Sequence, residues 1–221
     1  LCTAGLNVIN VGVVSSEMTY FAVGHYKYDG GVMVTASHNP AEYNGFKLCR
    51  EQAIPVSFET GIDRISKLTK QYHPLRGEHL GKVIVSDIFV DYKKHVLKFA
   101  SNLRHLRVVI DAGNGMAGKT IPLVCEGLPI EIIPLYFELD GSFPNHEANP
   151  LKPENMVDLQ KKVRETRAHL GVAFDGDADR CVFVDEMGRI IGCDIITALI
   201  AKQILEREKG ATILYDLRSS W

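Results

Sequence analysis

Between Arg107 and Arg180 apolar runs alternate with helical patterns, and that alternation restricts the fold more than any other feature of the chain. "RVVIDAGNGMAG" reads as a strand, a glycine turn and the start of a helix; "IEIIPLYF" reads as a second strand. Residues 153–167 carry a second helical pattern, and "LGVAFDGDADR" is a third strand that ends in acids. Strands so evenly apolar are covered on both faces, which calls for helices above and below the sheet. The pattern is a βαβαβ unit and predicts an open α/β domain.

The flanks repeat this logic. Strands are predicted at 8–13, 32–36 and 46–48, with a helix at 20–26. Pro55 is read as opening a helix over 56–69, in the first-turn position that proline favours. Asp87 is read as the cap of "DIFVDYKKHVLKFA", with apolar spacing at Ile88, Tyr92, Val96 and Phe99. After the third strand comes a hairpin, "RCVFVDEMGRIIG", with Met187-Gly188 near its turn. Asp194 is read as capping a helix to residue 209, and "TILYDL" as opening a new sheet. The chain lacks an initiator Met, begins inside a helical pattern and stops just after a strand. It reads as three successive α/β segments, the outer two cut from something longer.

The bulk numbers exclude several functions. Of 221 residues, 46% are apolar and 24% charged, as in a soluble globular protein, and no apolar run reaches the ~20 residues of a membrane span. A net charge of −2 gives no electrostatic case for nucleic acid or an anionic membrane. Five scattered cysteines without a Cys-x-x-Cys pair favour reduced thiols and a cytoplasmic setting. Nothing in the sequence sets an oligomeric state.

Three motifs carry possible chemistry. In "DGDADR" the carboxylates of Asp175, Asp177 and Asp179 alternate and converge if the loop curls. Hard anionic oxygens suit Mg²⁺ or Ca²⁺ and suit zinc poorly; without a cation they repel one another. The same acids with Glu186 match EF-hand spacing. That reading fails because Arg180 occupies the obligatory glycine position and a strand, not a helix, enters the loop. In "GNGMAG", Gly113, Gly115 and Gly118 fit the dinucleotide fingerprint, with Glu138 downstream. Pro134 interrupts the second strand before that acid, and a tight turn needing φ > 0 is the preferred reading. In "VMVTASHNPAEYNGFK", Ser37 follows a strand but lacks the G-x-S-x-G flanks of an acyl-transfer serine. A serine that carries a phosphoryl group wants cations and a metal nearby, and His38, Lys47 and the three acids are candidates to supply them.

Taken together, "TASHNPAEYNGFK" resembles the phosphoserine loop of the α-D-phosphohexomutases, and "DGDADR" resembles their metal loop. "DAGNGMAG", "DGSFPNHEANPLKPEN" and "YDLRSS" are similar to that family's second domain and the entry to its third. The likeness runs in order along almost the whole chain and is strongest to the phosphomannomutase/phosphoglucomutase branch, ahead of the phosphoglucosamine branch. It implies tandem related three-layer α/β/α domains with mixed sheets, the first and third incomplete. Residues 1–102 would be the C-terminal part of domain 1 with the phosphoserine loop, 103–189 a complete domain 2 with the metal loop, and 190–221 the start of domain 3. Two departures stand out, Ala178 where many relatives have glycine and "VVSSEMTYF" where they often have a proline-containing turn; neither is expected to touch the chemistry.

The resemblance further implies an enzyme of sugar-phosphate metabolism that moves phosphate between O1 and O6 of mannose or glucose, with a hexose 1,6-bisphosphate as activator. Ser37 would carry the phosphoryl group. Mg²⁺ would be held by Asp175, Asp177, Asp179 and an oxygen of phosphorylated Ser37. Lys47 would carry a proton or contact phosphate, with a pKa lowered by burial and Mg²⁺. His38 would orient the phosphoserine or shuttle a proton, and Arg180 would bind substrate phosphate. The alternatives are a phosphoglucosamine mutase or a non-catalytic sugar-phosphate-binding fragment, and the 221-residue chain is expected to be inactive alone.

Overall fold

The computed structural model describes residues 1–71, 76–100 and 102–214. In its first part, β1 (Val8–Asn10) leads into α1 (Ser16–Tyr26), β2 (Gly30–Val34), β3 (Phe46–Arg50) and β4 (Ile54–Pro55). α2 (Asp63–Thr69), β5 (Val83–Val85) and α3 (Phe89–Leu97) follow. β1 pairs in parallel with β5, while β2, β3 and β4 form a separate antiparallel sheet. Val14, Met18 and Ala22 on and beside α1 pack on Ile88, ringed by Tyr26, Tyr28 and Tyr92. A cavity of about 880 Å³ is lined by residues of β1 and β2 and by Ser37.

Several predicted boundaries shift here, each for a local reason. β1 stops at Asn10 because the Asn10 side chain accepts from Gly12 N–H at 2.9 Å and Gly12 takes φ 78°. The chain then turns, and α1 begins at Ser16 rather than residue 20. β2 occupies 30–34, not 32–36, and β3 continues to Arg50 through its pairing with Gly30. Pro55 does not open a helix. It lies in the edge strand β4, where its missing N–H is tolerated. The helical pattern starts only after a wide turn at Phe58–Ile62, whose Ser57–Thr60 capping box holds its entrance. Asp87 does accept from Phe89 N–H at 2.9 Å at the head of α3.

The second part holds β6 (Leu106–Asp111), α4 (Ala117–Cys125), β7 (Ile130–Leu135), α5 (Val157–Thr166), β8 (Leu170–Phe174), β9 (Cys181–Asp185) and β10 (Ile190–Ile191). The sheet order is β10-β9-β8-β6-β7, with β7, β6 and β8 parallel and β9 and β10 antiparallel. Alternation along β6 divides the core. Val108 and Ile110 face Val172 and Ile121 of α4. Val109 faces the other way, joining Ala173, Val182 and Val184 against Leu159 and Val163 of α5. Each fully buried Leu or Val contributes roughly 1.5–3 kcal/mol. This is a three-layer α/β/α domain with a mixed sheet. Pro134 sits in β7, which is an edge strand. The chain moves from β6 to one neighbour and returns to the other, so the C-terminal ends of β6 and β8 flank a switch point, where open α/β sheets place ligands.

α6 (Cys193–Arg207) follows the hairpin. Asp194 lies inside it rather than at its cap, and the helix ends two residues earlier than expected. The "TILYDL" strand and the "YDLRSS" motif lie mostly outside the described residues, and 212–214 are not in a strand.

The glycine turn after β6 serves close packing. Gly113 and Asn114 take φ 50° and 57°. A Cβ on Gly118 would collide with the Phe137 backbone carbonyl. Gly118→Ala is therefore expected to cost about 1–3 kcal/mol, read as a lower thermal midpoint.

Candidate active site

The acids stand at the end of a buried strand. Asp175 follows β8 and is 0% exposed; its carboxylate accepts from Arg180 N–H at 3.1 Å while Asp175 N–H donates to Arg180 O at 3.2 Å. These bonds curl the loop, and Ala178 closes it in the left-handed region, φ 62°. As a result one oxygen from each of Asp175, Asp177 and Asp179 lies within 4.8 Å of the others. Glycines let neighbouring loops reach this turn. Gly176 O accepts from Met116 N–H at 2.9 Å, and a Cβ on Gly115 would come within 2.6 Å of that oxygen. A Cβ on Gly176 would strike the Ser37 carbonyl.

Ser37 reaches the acids from the first part of the chain. It follows β2 in a left-handed conformation, φ 58°, which costs a non-glycine residue about 1–3 kcal/mol and is typical of functional sites. Thr35 Oγ1 holds that turn by accepting from Ser37 N–H at 2.8 Å. Ser37 Oγ lies 3.2 Å from Asp175 Oδ2 and 3.2 Å from His38 Nδ1. Lys47, opposite Met33 in the β2–β3 pair, places Nζ 2.5 Å from both Asp177 Oδ2 and Asp179 Oδ2. Arg180 Nε stands 3.8 Å from Asp175 and from Asp179. All seven residues singled out in the sequence thus meet in one place. The 880 Å³ cavity opens beside them, lined by Thr35, Ser37, Asn39, Tyr43, Phe143 and Asp177 among others.

Comparison with known proteins places this arrangement. The model for phosphoglucomutase/phosphomannomutase α/β/α domain I matches residues 1–75, and that for domain II matches residues 87–188. The chain belongs to the phosphoglucomutase/phosphomannomutase family. It is 40% identical over 228 residues to a phosphomannomutase of Vibrio cholerae, covering 100% of this chain and 49% of that protein. It is 41% identical to a protein of Xanthomonas campestris named "Phosphohexose mutases", covering 100% of this chain and 50% of that one. The crystal structure of a family member from Burkholderia thailandensis superposes with a TM-score of 0.86 at 34% identity, over 96% of this chain and 47% of that one. The chain spans about half the length of the curated relatives it matches.

The electrostatics of this family's acid loop depart from the sequence reading at Lys47. Burial alone would lower its pKa, but Asp177 and Asp179 outweigh burial and raise it, so the lysine is held as an ammonium. The expected lowering joined burial to Mg²⁺; burial does lower it, and without a cation the direct carboxylate contacts outweigh that effect. Asp177 behaves as the complement: burial pushes it up, yet hydrogen bonds from Lys47 and Ser16 hold it below the usual carboxylate range. Asp175 is pushed up to about 6 by burial and by the nearby Asp179 and Asp177 charges, against the Arg180 backbone bond. Asp177 Oδ1 is buried and has no hydrogen-bond partner among the described residues. An anionic oxygen so placed fits a hard cation, as does the all-carboxylate donor set.

Three residues near the acids escaped the sequence reading. Thr35 Oγ1 lies 3.3 Å from Asp177 Oδ2, and Ser16 Oγ donates to the same oxygen at 2.7 Å. Glu17 is pushed up to about 7, chiefly by burial. Ser16 and Glu17 belong to "VVSSEMTYF", the departure not expected to touch the chemistry; it does reach the acid loop, through Ser16. Their one signal was the polar pair Ser15-Ser16 at the head of an apolar helix.

Two substitutions test the loop. Ala178→Gly relieves a left-handed alanine and should stabilise by about 1 kcal/mol, seen as a higher thermal midpoint. Asp175→Asn removes a carboxylate whose folded pKa, about 6, exceeds its ordinary 3.8. Such a group keeps its proton in the folded state, so stability falls as pH rises from about 4 to 6 and the penalty is complete above that. Without metal at pH 7, the Asn variant should be more stable than the parent by on the order of 1–3 kcal/mol. The advantage should vanish below pH 4, and chemical denaturation across pH measures both.

Proposed function

We propose that this chain is part of a phosphomannomutase/phosphoglucomutase that interconverts hexose 1-phosphate and hexose 6-phosphate of mannose or glucose. The observation that carries the reading is Ser37 Oγ, in a strained turn, 3.2 Å from the first of three converging carboxylates. The roughly 40% identity to named phosphomannomutases and phosphohexose mutases supports it.

In this reading Ser37 carries a phosphoryl group. The Ser37 Oγ–P bond breaks as the sugar hydroxyl oxygen bonds to phosphorus, the hydroxyl proton ending on the released Ser37 Oγ. The bisphosphorylated sugar then turns, and Ser37 Oγ takes its other phosphate as the departing sugar oxygen gains that proton. Mg²⁺, the cofactor we propose, would be held by Asp175, Asp177, Asp179 and an oxygen of phosphorylated Ser37, and would offset charge on the transferring group. Lys47, favoured as an ammonium, acts on the acid side: it binds phosphate or donates its proton to the departing sugar oxygen. His38, through its contact with Ser37 Oγ, orients the serine. Arg180, part-exposed and only loosely paired at 3.8 Å, is free to bind substrate phosphate. A hexose 1,6-bisphosphate would act as activator by phosphorylating Ser37.

The domain reading is part of the same proposal: residues 1–102 from the first domain, 103–189 the second, 190–221 the beginning of a third. The five unpaired cysteines support a cytoplasmic setting. The test is a coupled assay on the full-length parent with mannose or glucose 1-phosphate, Mg²⁺ and bisphosphate activator. Turnover is expected, with loss of at least about a thousandfold in Ser37→Ala, and none from the 221-residue chain alone. A parent inactive on both sugars, or a Ser37→Ala variant that keeps its rate, overturns the reading.

A further inference from the structure

Ser16, the first residue of α1, is fully buried and reaches the acid loop with both of its polar groups. Its backbone N–H donates to Asp177 O at 3.1 Å, and its hydroxyl donates to Asp177 Oδ2 at 2.7 Å. The same hydroxyl accepts from Lys47 Nζ at 3.2 Å. One hydroxyl has one proton to give and two lone pairs to offer, so both contacts coexist.

These bonds fix two neighbours. Asp177 Oδ2 is met by Ser16, Lys47 and Thr35, while Oδ1 is buried with no partner. A carboxylate pinned at one oxygen has its other oxygen aimed. Lys47 in turn has three N–H groups, and among the described residues they meet Asp177, Asp179 and Ser16. Of these only Ser16 is neutral, so its contact with the ammonium is the one that does not weaken when the carboxylates share their charge with a cation.

We propose that Ser16 is a positioning residue that aims Asp177 Oδ1 at a bound divalent cation and holds Lys47 beside it. The inference takes its reaction from the mutase reading, but the aiming of Asp177 stands on the contacts above. Partners of this kind, one shell out from a metal, typically contribute 10–100-fold to affinity or activity.

The test uses the full-length parent, Mg²⁺ alone as probe by calorimetry, and kcat and KM with hexose 1-phosphate. Ser16→Ala removes the hydroxyl, Ser16→Cys keeps the size with a weak donor, and Ser16→Thr restores the hydroxyl. Ala and Cys variants are expected to bind Mg²⁺ about tenfold more weakly and to lose about tenfold in kcat. KM for the sugar phosphate should stay within about twofold, and the Thr variant should stay near wild type in all three. Unchanged Mg²⁺ affinity in the Cys variant, or a Thr variant as impaired as Ala, makes Ser16 a packing residue and overturns the proposal. A wild-type protein that binds no Mg²⁺ overturns it as well. Weakened Mg²⁺ binding in the variants of a protein with no turnover on any hexose phosphate sinks the mutase reading and leaves Ser16's role standing.

Discussion

The contact between Lys47 and the acid loop is the interaction on which the site depends. Two stretches more than a hundred residues apart in sequence meet there, and each presents charge that cannot be buried alone. Asp175 and Asp177 are almost fully shielded from water, and an uncompensated buried carboxylate is prohibitively costly. One ammonium answers two of the three acids. Burial, with the neighbouring acids adding to it, raises the pKa of Asp175, and one buried oxygen of Asp177 has no partner among the described residues. An arrangement that leaves this much negative charge unanswered is poised for a cation, and the same deficit explains why Lys47 is held charged rather than neutral.

Much of this was legible in the sequence because the signals were local. The alternating acids after an apolar strand, the lysine beyond the Ser-His turn and the βαβαβ order each lie within one short stretch. What was not legible depended on contacts across the chain. Ser16 sits 161 residues from Asp177, and no spacing rule links them. The direction of the Lys47 shift required knowing that both of its partners are carboxylates at bonding distance. Boundaries failed for a related reason: Pro55 fits a helix start equally well by composition, and only its pairing opposite Cys49 makes it a strand residue.

Backbone strain marks the same place. Ser37 and Ala178 are both left-handed without being glycine, on loops that touch through Gly176 and the Ser37 carbonyl. At Ala178 the strain has an alternative, since glycine would remove it. At Ser37 it does not, because glycine would also remove the hydroxyl that stands 3.2 Å from Asp175. The Thr35 hydroxyl, accepting from Ser37 N–H, offsets part of that cost and couples the turn to Asp177.

The glycine fingerprint after β6 shows how one spacing serves two purposes. In a dinucleotide fold such glycines free the first turn of a helix to face a pyrophosphate. Here the Met116 N–H at the head of α4 is committed to Gly176 O, and Asn114 is held by Tyr136, Glu138 and Asn145. Gly115 and Gly118 are small because backbone carbonyls press against them, at Gly176 and Phe137. The helix N-terminus that would hold a phosphate braces the acid loop instead. A G-x-G-x-x-G match therefore reports that something approaches the turn closely, and the identity of that neighbour, ligand or backbone, is decided by the loop across the switch point.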